Sequence, residues 1–152
     1  MKIYLVQHGQ AVSKDINPER PLSEKGKEDI VKLAHFLKKN NIEVFQILHS
    51  VKLRAKQTAQ ILMDVLSPSV KVFMKEGLSP NDPIKAIEKD LSDLEEDTII
   101  VGHLPHLSKL CSKLLIGVED NNIVGFKQGS IVCLKKNDEL WQIDWFISPD
   151  LF

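Results

Sequence analysis

Short apolar runs alternate along this chain with segments of helical periodicity, and this alternation limits the folds open to it. The runs that predict strands are 2–7, 44–48, 70–73, 98–102, 130–135 and 140–147. Helical patterns start near Ser23, Val51 and Asn81, and a fourth covers 105–115. Strands that alternate with helices form a mainly parallel sheet with helices on both faces.

The last two runs are separated by Asn137-Asp138, a turn signal that predicts a hairpin. Because a hairpin is antiparallel, the predicted fold class is α/β, a three-layer α/β/α sandwich whose mainly parallel sheet is mixed. A chain of 152 residues is expected to form a single domain, 1–152, with a substantial core.

Composition argues against several classes of function. The formal net charge is −1, whereas a general nucleic-acid-binding protein carries a strong basic excess. No run of 18 apolar residues is present and the N-terminus enters a strand pattern directly, so we expect no membrane span, no signal peptide and a cytoplasmic location. Cys111 and Cys133 lie in apolar sequence without metal-binding spacing, and both are expected to be buried free thiols.

Two of the predicted strands run directly into histidine, the first into His8 and the fourth into His103. In an open α/β sheet, ligands bind outside the carboxyl ends of the strands, so these imidazoles are expected to converge on one site. Arg54 lies in the first turns of the second helix, where the helix N-terminus favours an anion. Two histidines and an arginine in such positions favour phosphoryl chemistry.

Arginine is rare in this sequence, since only Arg20 and Arg54 of the 20 basic residues are arginine. A guanidinium offers a planar, bidentate fork that lysine lacks, so a retained arginine suggests a task such as oxyanion binding. The alternative is a general lysine bias, in which case the two positions indicate nothing.

Four segments together resemble the histidine phosphatase superfamily. They are 5–9 (LVQHG), 20–26 (RPLSEKG), 48–59 (LHSVKLRAKQTA) and 101–106 (VGHLPH). Their order and spacing are similar to those of the family, and the length of the chain is similar to that of its short, SixA-like phosphohistidine-phosphatase branch. The resemblance implies a phosphoglycerate mutase-like fold and a phosphatase that needs neither a metal nor a cofactor.

The resemblance also implies roles for individual residues. His8 corresponds to the nucleophile, which would carry the phosphoryl group as a covalent phosphohistidine. Arg54 and His103 correspond to ligands of the phosphoryl oxygens, and Gly9 to a further substrate-binding residue. Arg20 either contacts the substrate at the rim of the pocket or is a solvated loop residue before a proline.

Glu76 is the candidate general acid, because the family often places a carboxylate in the loop after the third strand. The family pattern puts that carboxylate nearer position 77, which is Gly77 here. Asp82 is the competitor, but its place before Pro83 suits a structural helix cap. Protonation of the leaving group by solvent is the third alternative.

The other histidines are not assigned to the site. His103 and His106 have a spacing that zinc ligands can have, but Pro105 and the lack of a partnering carboxylate argue against a metal there. His35 and His49 are expected to be ordinary residues of the surface or the edge of the core.

Gln7 departs from the family pattern, which has arginine at this substrate-binding position. An amide donates a hydrogen bond to phosphate but brings no charge, and losing about 2–3 kcal/mol of transition-state stabilisation slows a reaction roughly 30- to 200-fold. One interpretation is a phosphatase with a modified pocket. The other is a weakened protein that binds phosphate or a phosphoprotein without turnover.

The short connections between the predicted elements bear on the size of the substrate. Residues 10–22 form a modest loop, and the segment between the second helix and the fourth strand leaves little room for a long lid. An open site suits a phosphohistidine-bearing protein as the partner better than a small phosphoester, which is the alternative. Neither nucleic acid nor a membrane is an expected partner.

Overall fold

The computed structural model describes residues 1–152 as one six-stranded sheet with four α-helices. The strands are β1 (Lys2–Gln7), β2 (Gln46–His49), β3 (Lys71–Met74), β4 (Thr98–Gly102), β5 (Ile131–Asn137) and β6 (Leu140–Ile147). The helices are α1 (Glu24–Lys39), α2 (Leu53–Leu66), α3 (Lys85–Ser92) and α4 (His106–Ile116), and a single 3-10 turn covers Pro149–Leu151.

The sheet has the strand order β3-β2-β4-β1-β5-β6. The first four strands in this order are parallel to one another, while β5 and β6 are antiparallel to their neighbours, so the predicted mixed sheet is confirmed. In the register of β1 and β4, Gln7 lies opposite Gly102. His8 and His103 therefore leave the sheet side by side at its carboxyl end.

Helices cover both faces of the sheet, which confirms the predicted three-layer α/β/α arrangement. On one face α1 and α2 pack over strand residues such as Val6 and Ile99, and on the other α3 and α4 pack over Leu5 and Ile100. Each face buries a cluster of fifteen residues, so the two layers are balanced. Full burial of one such leucine or isoleucine side chain is worth about 1.5–3 kcal/mol.

The first helix starts where the sequence predicts, directly after Ser23. The Ser23 hydroxyl accepts a hydrogen bond of 3.0 Å from the backbone N–H of Gly26, which satisfies one of the donors left free at the helix N-terminus. At the other end, Lys38 and Lys39 occupy the last turn, where the helix dipole favours cations.

Several predicted starts are displaced along the chain. The second helix begins at Leu53 rather than Val51, because the backbone N–H of Lys52 is turned back to the Ser50 hydroxyl at 3.3 Å. The second strand begins at Gln46 rather than Val44, and its register with β4 starts where Gln46 lies opposite Thr98.

The structure also corrects the interpretation of Asp82 as a helix cap. Its carboxylate accepts the N–H of Ser79 at 2.9 Å, and its own N–H returns to the Ser79 carbonyl. Asp82 therefore closes a turn, and α3 begins only at Lys85 with no side-chain cap.

Cys111 and Cys133 are both free and buried, as predicted from their apolar surroundings. None of the helices combines the length and the apolar character that crossing a lipid bilayer would require.

Candidate active site

His8 is the first residue after β1 and is held at several points. Its backbone N–H donates to the carbonyl of Gly102 at 3.1 Å, and its carbonyl accepts from Gly129. On the ring, Nδ1 lies 2.7 Å from the carbonyl oxygen of Gly9. A carbonyl can only accept, so Nδ1 carries the ring proton and Nε2 keeps a lone pair.

The surroundings of His8 keep the ring neutral. Only 5% of the residue is exposed. Burial, followed by the charges of Arg54 and Arg20, lowers the pKa of His8 to about 4, although the hydrogen bond to Gly9 acts in the opposite direction. At neutral pH the Nε2 lone pair is therefore available for attack on an electrophile.

His103 lies beside His8, and the two ring centroids are 4.9 Å apart. This is the convergence that the two strand ends predict. The residue is 1% exposed, and burial, together with the nearby His8 and Arg54, lowers the pKa of His103 to about 3. Its Nε2 lies 2.5 Å from the hydroxyl of Ser50, a residue that follows β2 and is completely buried.

Arg54 is the second residue of α2 and reaches the same point. Its Nε donates to Nε2 of His8 at 3.3 Å. Partial burial, followed by the charge of Arg20, lowers the pKa of Arg54. The structure thus brings His8, Arg54 and His103 together.

Two residues of α2 tie this helix to the loops that carry the candidate residues. The hydroxyl of Thr58 accepts the backbone N–H of Gly9 at 3.1 Å and donates to the carbonyl of Arg54 at 2.8 Å. Oε1 of the preceding residue, Gln57, accepts the N–H of Leu22 at 2.7 Å. These bonds fix the distance between the guanidinium and the loop that follows His8.

Gly9 lies where a side chain has no space. A Cβ at this position would approach the carbonyl oxygen of Gly26 and Cγ1 of Ile30 to 2.9 Å. The segment after His8 therefore packs its backbone directly on the first turn of α1.

Arg20 is half-buried in the loop between β1 and α1. Its backbone has a φ of +49°, and its Nε donates to the carbonyl of Val12 at 3.2 Å. Its charge acts on both His8 and Arg54, so the structure places Arg20 near the pocket and not in bulk solvent.

Gln7 ends β1 and is 8% exposed. Its side-chain Oε1 is buried and accepts no hydrogen bond. A neutral amide without a partner thus lies directly before the candidate nucleophile.

Glu76 is not joined to this group by any hydrogen bond or ion pair. It is exposed in the loop after β3 and lines a groove of about 450 Å³ together with Val51, Ser79 and Asp82. Val51 follows Ser50, so the groove adjoins the pocket without including His8 or His103.

Sequence reasoning did not single out Ser50, Gln57 or Thr58 as parts of the site. All three lie in the 48–59 segment that resembles the family, so the motif contained the signal. The motif does not indicate that Gln57 and Thr58 accept hydrogen bonds from the backbone of Leu22 and Gly9, which are 35 and 49 residues distant in sequence.

The remaining histidines differ among themselves. His35 is exposed on α1, and His49 is buried at the end of β2 with Nδ1 2.8 Å from the Ser50 carbonyl. His106 is completely buried, and neither of its ring nitrogens has a hydrogen-bond partner.

These features define a class. The sequence pattern of the histidine phosphatase superfamily (branch 1) matches residues 3–79, just over half of the 152 residues. The chain belongs to this superfamily of phosphatases.

Individual relatives and solved structures are similar to most of the chain. The chain is 28% identical to the phosphohistidine phosphatase SixA of Escherichia coli K12 over 122 residues. This aligned region covers 77% of this chain and 76% of that protein. Its fold is that of the protein histidine phosphatase SixA complexed with tungstate, with a TM-score of 0.86, 24% identity and 99% of both chains covered. A putative α-ribazole-5′-P phosphatase from Escherichia coli K-12 has the same fold, with a TM-score of 0.77, 17% identity and 98% of both chains covered.

Proposed function

We propose that this protein is a metal-independent phosphatase that removes the phosphoryl group from phosphohistidine on another protein, through a covalent phosphohistidine on His8. One observation carries the proposal. The ring proton of His8 is held by Gly9, so the lone pair of Nε2 faces Arg54 at 3.3 Å, with the ring of His103 beside it.

In the first step, the lone pair of His8 Nε2 attacks phosphorus. The P–N bond of the substrate breaks, and the leaving imidazole takes the bonding electrons and a proton from solvent or from Glu76. Because Arg54 Nε donates to the attacking nitrogen, it transfers that hydrogen bond to a phosphoryl oxygen as the substrate enters. The guanidinium fork suits two such oxygens.

In the second step, water attacks the phosphorus of phosphorylated His8 and gives a proton to solvent or to Glu76, the same two sources that supplied the proton in the first step. The P–N bond breaks, its electrons return to Nε2, and inorganic phosphate leaves. Charge spreads over the equatorial oxygens in both steps, so catalysis depends on positioning and on nearby cations. Arg54 and Arg20 supply that positive charge, which supports a mechanism without a metal.

The choice of a protein substrate rests on two observations. The relative in Escherichia coli is a phosphohistidine phosphatase. In addition, α3 buries Ile87 and Leu91 in the core against the sheet, so this helix between α2 and β4 does not serve as a lid. Small phosphoesters are the alternative substrates, and the likeness to an α-ribazole-5′-P phosphatase favours testing them.

A second candidate function is the binding of a phosphoprotein without turnover. The buried amide of Gln7 favours it, because the pocket lacks a cation directly before His8. The paired geometry of His8 and Arg54 favours the enzyme, since mere binding of an anion does not require a free lone pair on a neutral imidazole.

The proposal is tested by labelling. Brief incubation with a protein that carries ³²P-phosphohistidine is expected to give acid-labile label on His8, followed by release of phosphate. His8→Ala removes the nucleophile and is expected to abolish both label and turnover, while His35→Ala, a change on the exposed side of α1, leaves them intact.

A small phosphoester assayed in parallel is expected to give a lower kcat/KM than the phosphohistidine protein. Label on another residue, or turnover by His8→Ala, would contradict the covalent mechanism.

A further inference from the structure

The two ring nitrogens of His103 have different surroundings. Nε2 lies 2.5 Å from the hydroxyl of Ser50. Nδ1 is buried and has no hydrogen-bond partner within the protein. A buried N–H without a partner costs about 1–3 kcal/mol, so Nδ1 is the nitrogen that a ligand would satisfy.

The hydroxyl of Ser50 is itself constrained. The residue is completely buried, and its oxygen already accepts the backbone N–H of Lys52 at 3.3 Å. A serine hydroxyl has one proton to donate. With Lys52 as a donor on one side, the proton of Ser50 is free to be donated to Nε2 of His103.

His103 has one ring proton at neutral pH, because burial lowers its pKa to about 3. In a neutral imidazole one nitrogen is a donor and the other an acceptor. If Nε2 accepts the hydrogen bond of Ser50, the proton must be on Nδ1.

We propose that Ser50 is a positioning residue that holds His103 as the Nδ1–H tautomer, so that this N–H is donated to a phosphoryl oxygen. The opposite tautomer would direct a lone pair of His103 at the anion and repel it. The phosphoryl ligand rests on the proposed function, whereas the tautomer rests on the hydrogen bond with Ser50 alone.

The tautomers of the two histidines then become complementary. Gly9 holds the proton of His8 away from the reacting atom and exposes a lone pair. Ser50 occupies the lone pair of His103 Nε2 with its hydroxyl proton, so the ring proton of His103 lies on Nδ1 and faces the ligand. Two rings with centroids 4.9 Å apart thus offer one phosphoryl group a nucleophile and a hydrogen-bond donor without any net charge.

The experiment is ¹⁵N NMR of the histidine side chains in the intact protein. The wild type is expected to show His103 as Nδ1–H, with a shift of the Nδ1 signal when inorganic phosphate is added. Ser50→Ala is expected to give a mixture of the two tautomers and a kcat/KM that is lower by roughly 10- to 100-fold, as is usual for outer partners of site histidines. Ser50→Thr keeps the hydroxyl and is expected to restore the Nδ1–H tautomer.

Ser112→Ala is the matched control. Ser112 is also completely buried, and its hydroxyl donates to the carbonyl of Val118 at 2.6 Å, on the body of α4 and away from His103. Its removal is expected to lower stability without changing the tautomer of His103. If Ser50→Ala and Ser112→Ala give the same spectra and rates, the positioning role of Ser50 is wrong.

The outcomes separate this inference from the proposed function. An Nε2–H tautomer in the wild type overturns the role of Ser50, whatever the activity is. An Nδ1–H tautomer in a protein that hydrolyses no phosphoryl compound overturns the enzyme and leaves the role of Ser50 supported.

Discussion

Gln7 and His8 are neighbours in the chain, yet they suit phosphoryl chemistry to different degrees. The ring proton of His8 is held by a carbonyl, and its Nε2 lone pair faces the Arg54 guanidinium at 3.3 Å. Gln7, directly before His8, has a buried side-chain oxygen with no donor to pair with. An amide oxygen carries partial negative charge, so its presence weakens the pocket unless the amide nitrogen faces the ligand.

We therefore expect Gln7→Arg to increase catalysis. The guanidinium adds a positive charge and a two-pronged donor where the amide offers one neutral N–H. Each charged hydrogen bond is worth about 1–1.5 kcal/mol more than a neutral one. The kcat/KM for a phosphohistidine protein should rise roughly tenfold or more. Steady-state kinetics of the wild type and the variant provide the measurement.

Gln7→Lys serves as the control for Gln7→Arg, because it adds charge without the fork. A gain with arginine alone indicates bidentate binding, and an equal gain with lysine indicates charge. A loss of activity in both variants would mean that the pocket is adapted to glutamine, and a substrate with its own hydrogen-bond donor would then replace the one proposed here.

At the scale of elements, the contact between the first turn of α1 and the loop after β1 determines where His8 lies. Gly26 is inside α1, where alanine is ordinarily better than glycine by about 1 kcal/mol. A Cβ at Gly26 would lie only 2.0 Å from the backbone oxygen of Gln10. We expect Gly26→Ala to destabilise the protein by about 1–3 kcal/mol, because the backbone clash outweighs the helix preference.

Urea unfolding followed by circular dichroism measures this difference, with Gly125→Ala as its control. Gly125 has no atom within 4 Å of an added Cβ, so its replacement is expected to change stability by no more than about 0.5 kcal/mol. Activity should fall in Gly26→Ala alone, since the clash displaces the segment that follows His8. Equal stabilities of the two variants would show that α1 can move away from the loop without cost.

Much of this architecture is predictable from the sequence, for physical reasons. The bounds that the sequence predicts for β4 and β6 are those of the structure. Uniform burial marks the extent of β4, and a clear turn marks the start of β6. The starts of α2 and α3 were not, because side-chain hydrogen bonds of Ser50 and Asp82 hold the chain in turns that the apolar pattern does not record.

The sequence likewise predicts one part of the candidate site and not another. Strand ends predict that His8 and His103 meet, since topology alone places them together. The partner of each ring nitrogen depends on distances below 3 Å, to Gly9 and Ser50, and periodicity contains no such information.

At the scale of the whole molecule, buried neutral histidines make stability depend on pH. Burial lowers the pKa values of His8 to about 4 and of His103 to about 3, and it also lowers the pKa of His106. Each of these groups is ordinarily near 6.5 in an unfolded chain. Below that pH the unfolded chain binds protons that the folded protein does not, so acidification favours unfolding.

We expect the free energy of unfolding to be about 2–4 kcal/mol lower at pH 5 than at pH 7, from His8 and His103 together. The loss begins as the pH falls below about 6.5 and ends near the folded pKa values of about 4 and 3. Urea denaturation across this range measures it. His103→Gln removes one of the two groups and should flatten the curve between pH 6.5 and 4, and an unchanged slope would mean that His103 is not neutral in the folded protein.

The position of β4 between β1 and β2 has a consequence for synthesis of the chain. Its neighbours β1 and β2 are made first, but they do not touch each other, and the strand that joins them follows about 50 residues after β2 and about 90 after β1. The strand β2 can pair with β3 earlier, but the edges of β1 and β2 that face β4 stay open during that interval, because long-range pairing is slow. His8 is thus present from the start of translation but meets His103 only when the middle of the sheet is completed, so a growing chain lacks the candidate site until most of it exists.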